Sequence, residues 1–190
     1  MKRMAIAFLI LGIVFIVISI YLFTRPEITL SQNETEVVNR IQSKPTSKDK
    51  GNMFEDFVIQ YIAKRANGIR FIGKVSDYNK NGVFAEENFE PDLKFASNES
   101  SFSVECKWRS NFNDDGAVIW SYPEQIERYN AYQKDNKTRV FIALGVGGSA
   151  DNPHDFYLVP LYRLTKEFAS TKYIEEFRIR SIKDLYKIIN

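Results

Sequence analysis

The sequence predicts an α/β domain behind one N-terminal transmembrane helix, and three observations predict it. Ser101–Arg109 alternates apolar and polar residues strictly, the two-residue period of a β-strand. Arg139–Val146 is a short, continuous apolar run, the pattern of a central strand covered on both faces. Residues 4–23 are apolar without a single charge, and twenty helical residues at about 1.5 Å each span the roughly 30 Å core of a bilayer.

Composition bounds the reading. A chain of 190 residues permits one domain and an appendage. Its net charge of +2 argues for no strong overall field on a polyanion. A single cysteine excludes an internal disulfide, and with a single histidine it excludes a His/Cys zinc cage. A metal in this chain would therefore be held by oxygen, which suits Mg²⁺ or Mn²⁺.

Taken in order, residues 1–23 form the anchor, with Lys2 and Arg3 ahead of it. The apolar run exceeds the 7–15 residues typical of a signal-peptide core and no clear small-x-small site follows, so an uncleaved anchor is preferred to a secretory leader. Arg25 and Arg40 balance Lys2 and Arg3, so the charge rule nearly ties. An unpaired cysteine and a metal-dependent chemistry suit a cytoplasmic soluble domain. Residues 24–49 read as a polar juxtamembrane linker, and residues 50–190 as the domain.

Within the domain, residues 51–66 form an amphipathic helix with Phe54, Phe57, Val58, Tyr61 and Ile62 on one stripe. Glu55 lies beside that stripe, where a first-turn acid is also favoured by the helix dipole alone. Strands are predicted at 69–75 and 83–89, on either side of the turn signal Asn79-Lys80-Asn81-Gly82. Asp92 follows in Glu90-Pro91-Asp92, then the turn residues Asn98-Glu99-Ser100, then the strand Ser101–Arg109. That strand places Phe102, Val104, Cys106 and Trp108 on one face, and Ser103, Glu105, Lys107 and Arg109 on the other. A hairpin pairing the segments of Asp92 and Glu105 brings both carboxylates and Lys107 to one end of a sheet. Such a set suits a hard divalent cation and a phosphate. The same Glu105 and Lys107 also fit a solvated face with cross-strand ion pairs.

After a short apolar piece at 117–120, Ser121 or Tyr122 caps a helix with Pro123 in its first turn. Gln125 and Tyr129 share one of its faces. Residues 155–164 are strand-like but hold Pro160, which argues for an edge or a bulge. Residues 173–179 are ambiguous, and Ser181 caps a closing helix at Ile182–Ile189. Cys106 is read as a small core residue, because no histidine neighbours it in sequence, and Trp108 as core rather than a base-stacking platform.

Pro91-Asp92 followed by Glu105-Cys106-Lys107 resembles the PD-(D/E)xK nuclease superfamily. Gly51-Asn52-Met53-Phe54-Glu55 resembles the GxxxE of that family's first helix, and Gln125-Ile126-Glu127-Arg128-Tyr129 its RecB-like QxxxY. The ordered set is far more specific than ExK alone, and covers roughly residues 50–165. The resemblance implies a restriction-endonuclease-like fold, a mixed central sheet flanked by helices on an αβββαβ core. It implies a phosphodiester hydrolase using Mg²⁺, with Mn²⁺ as a substitute, on nucleic acid, DNA ahead of RNA. Asp92 and Glu105 would hold the metal, together with the carbonyl of Cys106 and Glu55 as an auxiliary carboxylate. Lys107 would hold the attacking water or the developing charge, and Gln125 would contact phosphate or orient Lys107. Tyr129, Arg109 and Arg128 are candidates for substrate contact. Relatives of this fold often dimerise to cut two strands, so a homodimer is a further expectation. The rival reading is a non-catalytic module of the same fold, tethered to the lipid bilayer for binding or scaffolding.

Overall fold

A computed structural model describes residues 44–75, 90–98 and 100–190. The membrane anchor, most of the linker and the strand expected at 83–89 lie outside the described residues. Among the described residues no helix is long and apolar enough to cross a membrane.

Helix α1, Ser47–Arg65, begins four residues before the expected Gly51, inside the stretch assigned to the linker. The cause is local. Thr46 and Asp49 form a reciprocal capping box, with Asp49 N–H donating to Thr46 Oγ1 at 3.2 Å and Thr46 N–H to Asp49 Oδ2 at 2.9 Å. Phe54, Val58 and Ile62 make its buried stripe. Gly68, at φ +79°, turns the chain into β1, Arg70–Lys74.

Strands β2 (Leu93–Ala96) and β3 (Ser101–Arg109) form an antiparallel hairpin. β4, Ala117–Ile119, is short, and α2 spans Pro123–Asp135. β5, Arg139–Val146, then runs parallel to β3 along its whole length, from Phe102↔Arg139 to Arg109↔Val146. β6, Asp155–Pro160, returns antiparallel to β5. The five-stranded sheet has the order β1-β2-β3-β5-β6, mixed in direction, with β3 at its centre. β6 lies at the edge and ends at Pro160, where a missing N–H costs no ladder bond.

β7, Phe168–Ser170, pairs with β4 in a separate two-stranded sheet that the sequence did not foreshadow. The ambiguous stretch 173–179 holds the end of a short helix α3, Thr171–Ile174, and one 3₁₀ turn, Glu175–Phe177. Helix α4, Ile182–Ile189, closes the chain from a second capping box, Ser181 with Asp184.

Each face of the main sheet carries its own core. On one, α1 and α4 pack Phe54, Val58, Ile62, Leu185 and Ile189 over Leu93, Val104, Phe141 and Leu158. On the other, α2 sets Ile126 and Tyr129 over Val140, Ile142 and Leu144. This second layer changes the environment of β3. Ser103 and Glu105, which alternation alone would allow to face water, are 3% and 4% exposed. A strand paired in parallel needs a crossover helix, and the helix covers the polar face.

Candidate active site

The hairpin register brings the two acids together. Leu93 pairs with Val104, so the preceding Asp92 lies opposite Glu105 where the ladder ends. Cys106 N–H, released from pairing with β2, donates to Asp92 Oδ2 at 2.8 Å. Lys107 Nζ lies 2.6 Å from Glu105 Oε1. From the helical layer, the hydroxyl of the buried Tyr129 also bonds Glu105. Glu105 is thus a buried carboxylate held from two elements, as a buried charge must be.

Glu55 comes from α1, where it forms an ion pair with Lys74 Nζ at 2.7 Å. Asn52 Oδ1 accepts from the same ammonium at 3.4 Å. Burial pulls the Lys74 ammonium down, but Glu55, with Asp56 and Asp92 nearby, leaves it raised overall. Lys74 went unnoticed in the sequence. Its only signal was its place at the end of a predicted strand. What carries it to the site is register: Lys74 pairs with Leu93, and Val75 N–H donates to the Asp92 carbonyl at 2.8 Å.

Asp92 keeps some solvent access, yet its carboxyl is pushed well above the usual carboxylate range. Burial is the first cause and the charge of Glu105 the second, with Glu55 adding to it. The Cys106 N–H and the Lys107 ammonium work in the opposite direction and do not prevail. The Cys106 thiol is also driven well up, by burial first and then by the Asp92, Glu55 and Glu105 carboxylates. A thiol held protonated in this way is no nucleophile at neutral pH.

The remaining residues singled out in the sequence lie around this centre. Gln125, in the first turn of α2, accepts Ser121 Oγ–H at its Oε1, 2.9 Å away. Tyr122, not Ser121, is the N-cap residue of α2, and its side chain makes no capping bond. The Arg128 guanidinium stands 5.2 Å from the centre of the Tyr129 ring, with Nη2 at 3.4 Å from its hydroxyl. Arg109 turns to main-chain carbonyls, donating from Nε to Ile119 at 2.8 Å and from Nη2 to Trp120 at 3.1 Å. It joins the end of β3 to β4. Cys106 and Trp108 pack against the α1 core.

The donor set can be weighed against a divalent cation. Among the described residues no three His, Cys, Asp or Glu side chains are gathered closely enough to cage a metal. Mg²⁺ does not need such a cage: it keeps several waters and takes one or two carboxylates plus substrate oxygens. Asp92 raises its own charging cost by standing against Glu105, and a cation shared by the two would remove that cost. The residues present fit a Mg²⁺ or Mn²⁺ ion and do not fit zinc.

No family model matches the chain, and no curated protein matches it. Among solved structures, the chain is similar to Hjc, a Holliday junction resolvase from the archaeal hyperthermophile Archaeoglobus fulgidus. The TM-score is 0.49 at 14% sequence identity, over 66% of this chain and 92% of the other.

Proposed function

We propose that this chain is a metal-dependent nuclease of the PD-(D/E)xK kind, hydrolysing phosphodiester bonds, with DNA as its substrate. The observation that carries the reading is the meeting of Asp92 and Glu105 where the β2–β3 ladder ends, with Lys107 2.6 Å from Glu105. Sequence order supports it, because the acid, the ExK triplet and Gln125 with Tyr129 follow one another as in that superfamily.

Asp92 and Glu105 would hold Mg²⁺, or Mn²⁺ in its place, with the Cys106 carbonyl as a further ligand and Glu55 as an auxiliary acid. The ion, when bound, supplies charge neutralisation at the phosphate and acidifies its water. Lys107 orients the attacking water and stabilises negative charge developing on the phosphoryl oxygens. Tyr129 keeps Glu105 in place through its hydroxyl, and Lys74 does the same for Glu55. Gln125 and Arg128, on the α2 side of Glu105, are assigned to the phosphate. Arg109 is assigned to joining β3 with β4. The water gives a proton to solvent and its oxygen bonds to phosphorus as the P–O bond to the leaving strand breaks, and that strand's oxygen takes a proton from solvent.

Residues 4–23 would anchor the domain to a membrane. Carbonate-resistant sedimentation of the full chain with membranes, abolished by deleting residues 1–44, is the expected result.

The test of the chemistry is cleavage of supercoiled plasmid, single-stranded DNA and RNA with Mg²⁺, with Mn²⁺ and with EDTA. Lys107→Ala and Asp92→Ala run in parallel to exclude contaminating nuclease. Metal-dependent nicking lost in both variants establishes the activity. A folded protein that cleaves neither DNA nor RNA and does not bind Mn²⁺ would leave the tethered binding module as the function.

A further inference from the structure

The small β4–β7 sheet has an outer face that its inner face does not explain. Val118 and Ala169 pair across it and are buried. Their neighbours Ile119 and Phe168, also cross-strand partners, point outward and are 61% and 52% exposed. Tyr173, which lines the same pocket as Phe168, is 46% exposed. Large apolar side chains grouped in this way mark a contact surface.

Cations surround these rings. Phe168, Tyr173, Arg163 and Lys166 wall a pocket of about 290 Å³. Lys166 Nζ stands 5.7 Å from the centre of the Phe168 ring. The Arg163 guanidinium stands 5.5 Å from that of Tyr173, donates from Nε to the Tyr173 hydroxyl at 3.3 Å and pairs through Nη2 with Glu176 Oε1 at 2.5 Å, which fixes it against the ring. Lys166 and Lys172 flank Phe168 in sequence, with one acid, Glu167, between them.

The face is tied to the candidate active site. Arg109 bonds the carbonyls of Ile119 and Trp120. It lies four residues beyond Glu105 on the same strand, roughly 13 Å at about 3.3 Å per residue.

We propose that this face is a stacking platform for unpaired bases of a nucleic-acid strand. Phe168 and Tyr173 take the bases, Lys166 takes the phosphates, and Arg163, paired with Glu176, holds the Tyr173 ring in place. Exposed rings interleaved with cations are what a single strand needs, since every base has a π-face and every nucleotide a negative charge. A second copy of the chain fits less well, because a two-fold contact would set these like charges against each other. The strand's route from the platform to Asp92 and Glu105 rests on the nuclease reading. Its binding at the platform does not.

The experiment is a fluorescence-anisotropy titration of the full chain with a short fluorescein-labelled oligothymidylate in EDTA, so that no cleavage intervenes. Phe168→Ala and Lys166→Ala are each expected to weaken binding about tenfold. Lys187→Ala, exposed on α4, is expected to leave it unchanged. Iodouracil photocrosslinking is expected to label Phe168 or Tyr173. Unchanged oligonucleotide affinity in a folded Phe168→Ala variant would overturn the proposal. So would a change in oligomeric state, or a loss of retention on phosphatidylserine vesicles, as that variant's sole effect. If the wild type binds through Phe168 but never cleaves, the nuclease reading falls and the platform stands.

Discussion

Tyr129 is the residue on which the two layers of the site meet. Its ring is 1% exposed, and its hydroxyl is held protonated by burial first and by the Glu105 carboxylate second. Tyr129→Phe keeps the ring and removes one donor from a carboxylate that water hardly reaches. A buried acceptor that loses a partner costs about 1–3 kcal/mol. The variant is expected to unfold at lower urea concentration with an unchanged denaturant slope, which equilibrium denaturation checks directly. Had Glu105 been the solvated strand residue that alternation alone permits, the same change would leave the midpoint within error. Gln125 shows the complementary case: its spacing from Tyr129 was plain in the sequence, but its bond to Ser121 depends on how the chain enters α2.

Two elements show how far local sequence reaches. The C-terminal helix α4 begins where Ser181 predicts, and the structure adds Asp184 as its reciprocal partner in a capping box, a contact between near neighbours. The Asp184 carboxyl is held below the usual carboxylate range by the Ser181 hydroxyl first and by the N–H groups of Arg180 and Ser181 next. A depressed folded value means that its contribution is fully present above the unfolded value near 3.9 and is lost as the pH falls through the folded one. The Tm difference between wild type and Asp184→Ala is therefore expected to be constant at neutral pH and to shrink below about pH 4. Strand β5 is the opposite case. Its apolar run marks it as central, but nothing local says why Gly145 must be glycine. The Phe54 ring of α1 lies against it, and an added Cβ would collide with that ring. Gly145→Ala is expected to cost about 1–3 kcal/mol through overpacking, and Phe54→Leu to recover part of that loss in the double variant.

At the scale of the molecule, the acids that make the site also strain the metal-free domain. Asp92 faces Glu105 with Glu55 nearby, and only part of that repulsion is relieved by Lys107. A divalent ion bound to the folded state alone stabilises it by mass action, about 2.7 kcal/mol at one hundred times its Kd. For a domain of this size that is a Tm rise of several degrees. Thermal unfolding with Mg²⁺, with Mn²⁺ and with EDTA is expected to show this rise in the wild type. Asp92→Asn is expected to melt higher than wild type in EDTA and to gain little from either ion. A wild-type Tm indifferent to both ions would remove the metal from the proposal.

What the sequence determined by itself was periodic or local. The alternation of Ser101–Arg109, the apolar run of Arg139–Val146 and the Ser181-capped helix Ile182–Ile189 reappear with the same bounds. Each follows from backbone period and nearest-neighbour contacts, which the chain carries wherever it goes. The early start of α1 is local in the same way, set by Thr46 and Asp49. Tertiary structure alone decided which groups meet. The parallel pairing of β3 with β5 buried Glu105 under α2 and brought Tyr129 to it. The register of β1 on β2 carried Lys74 to Glu55, and the pairing of β4 with β7 turned Ile119 and Phe168 to one side. These contacts join residues far apart in the chain, and their free energy comes from packing and charge that exist only once the sheet has formed.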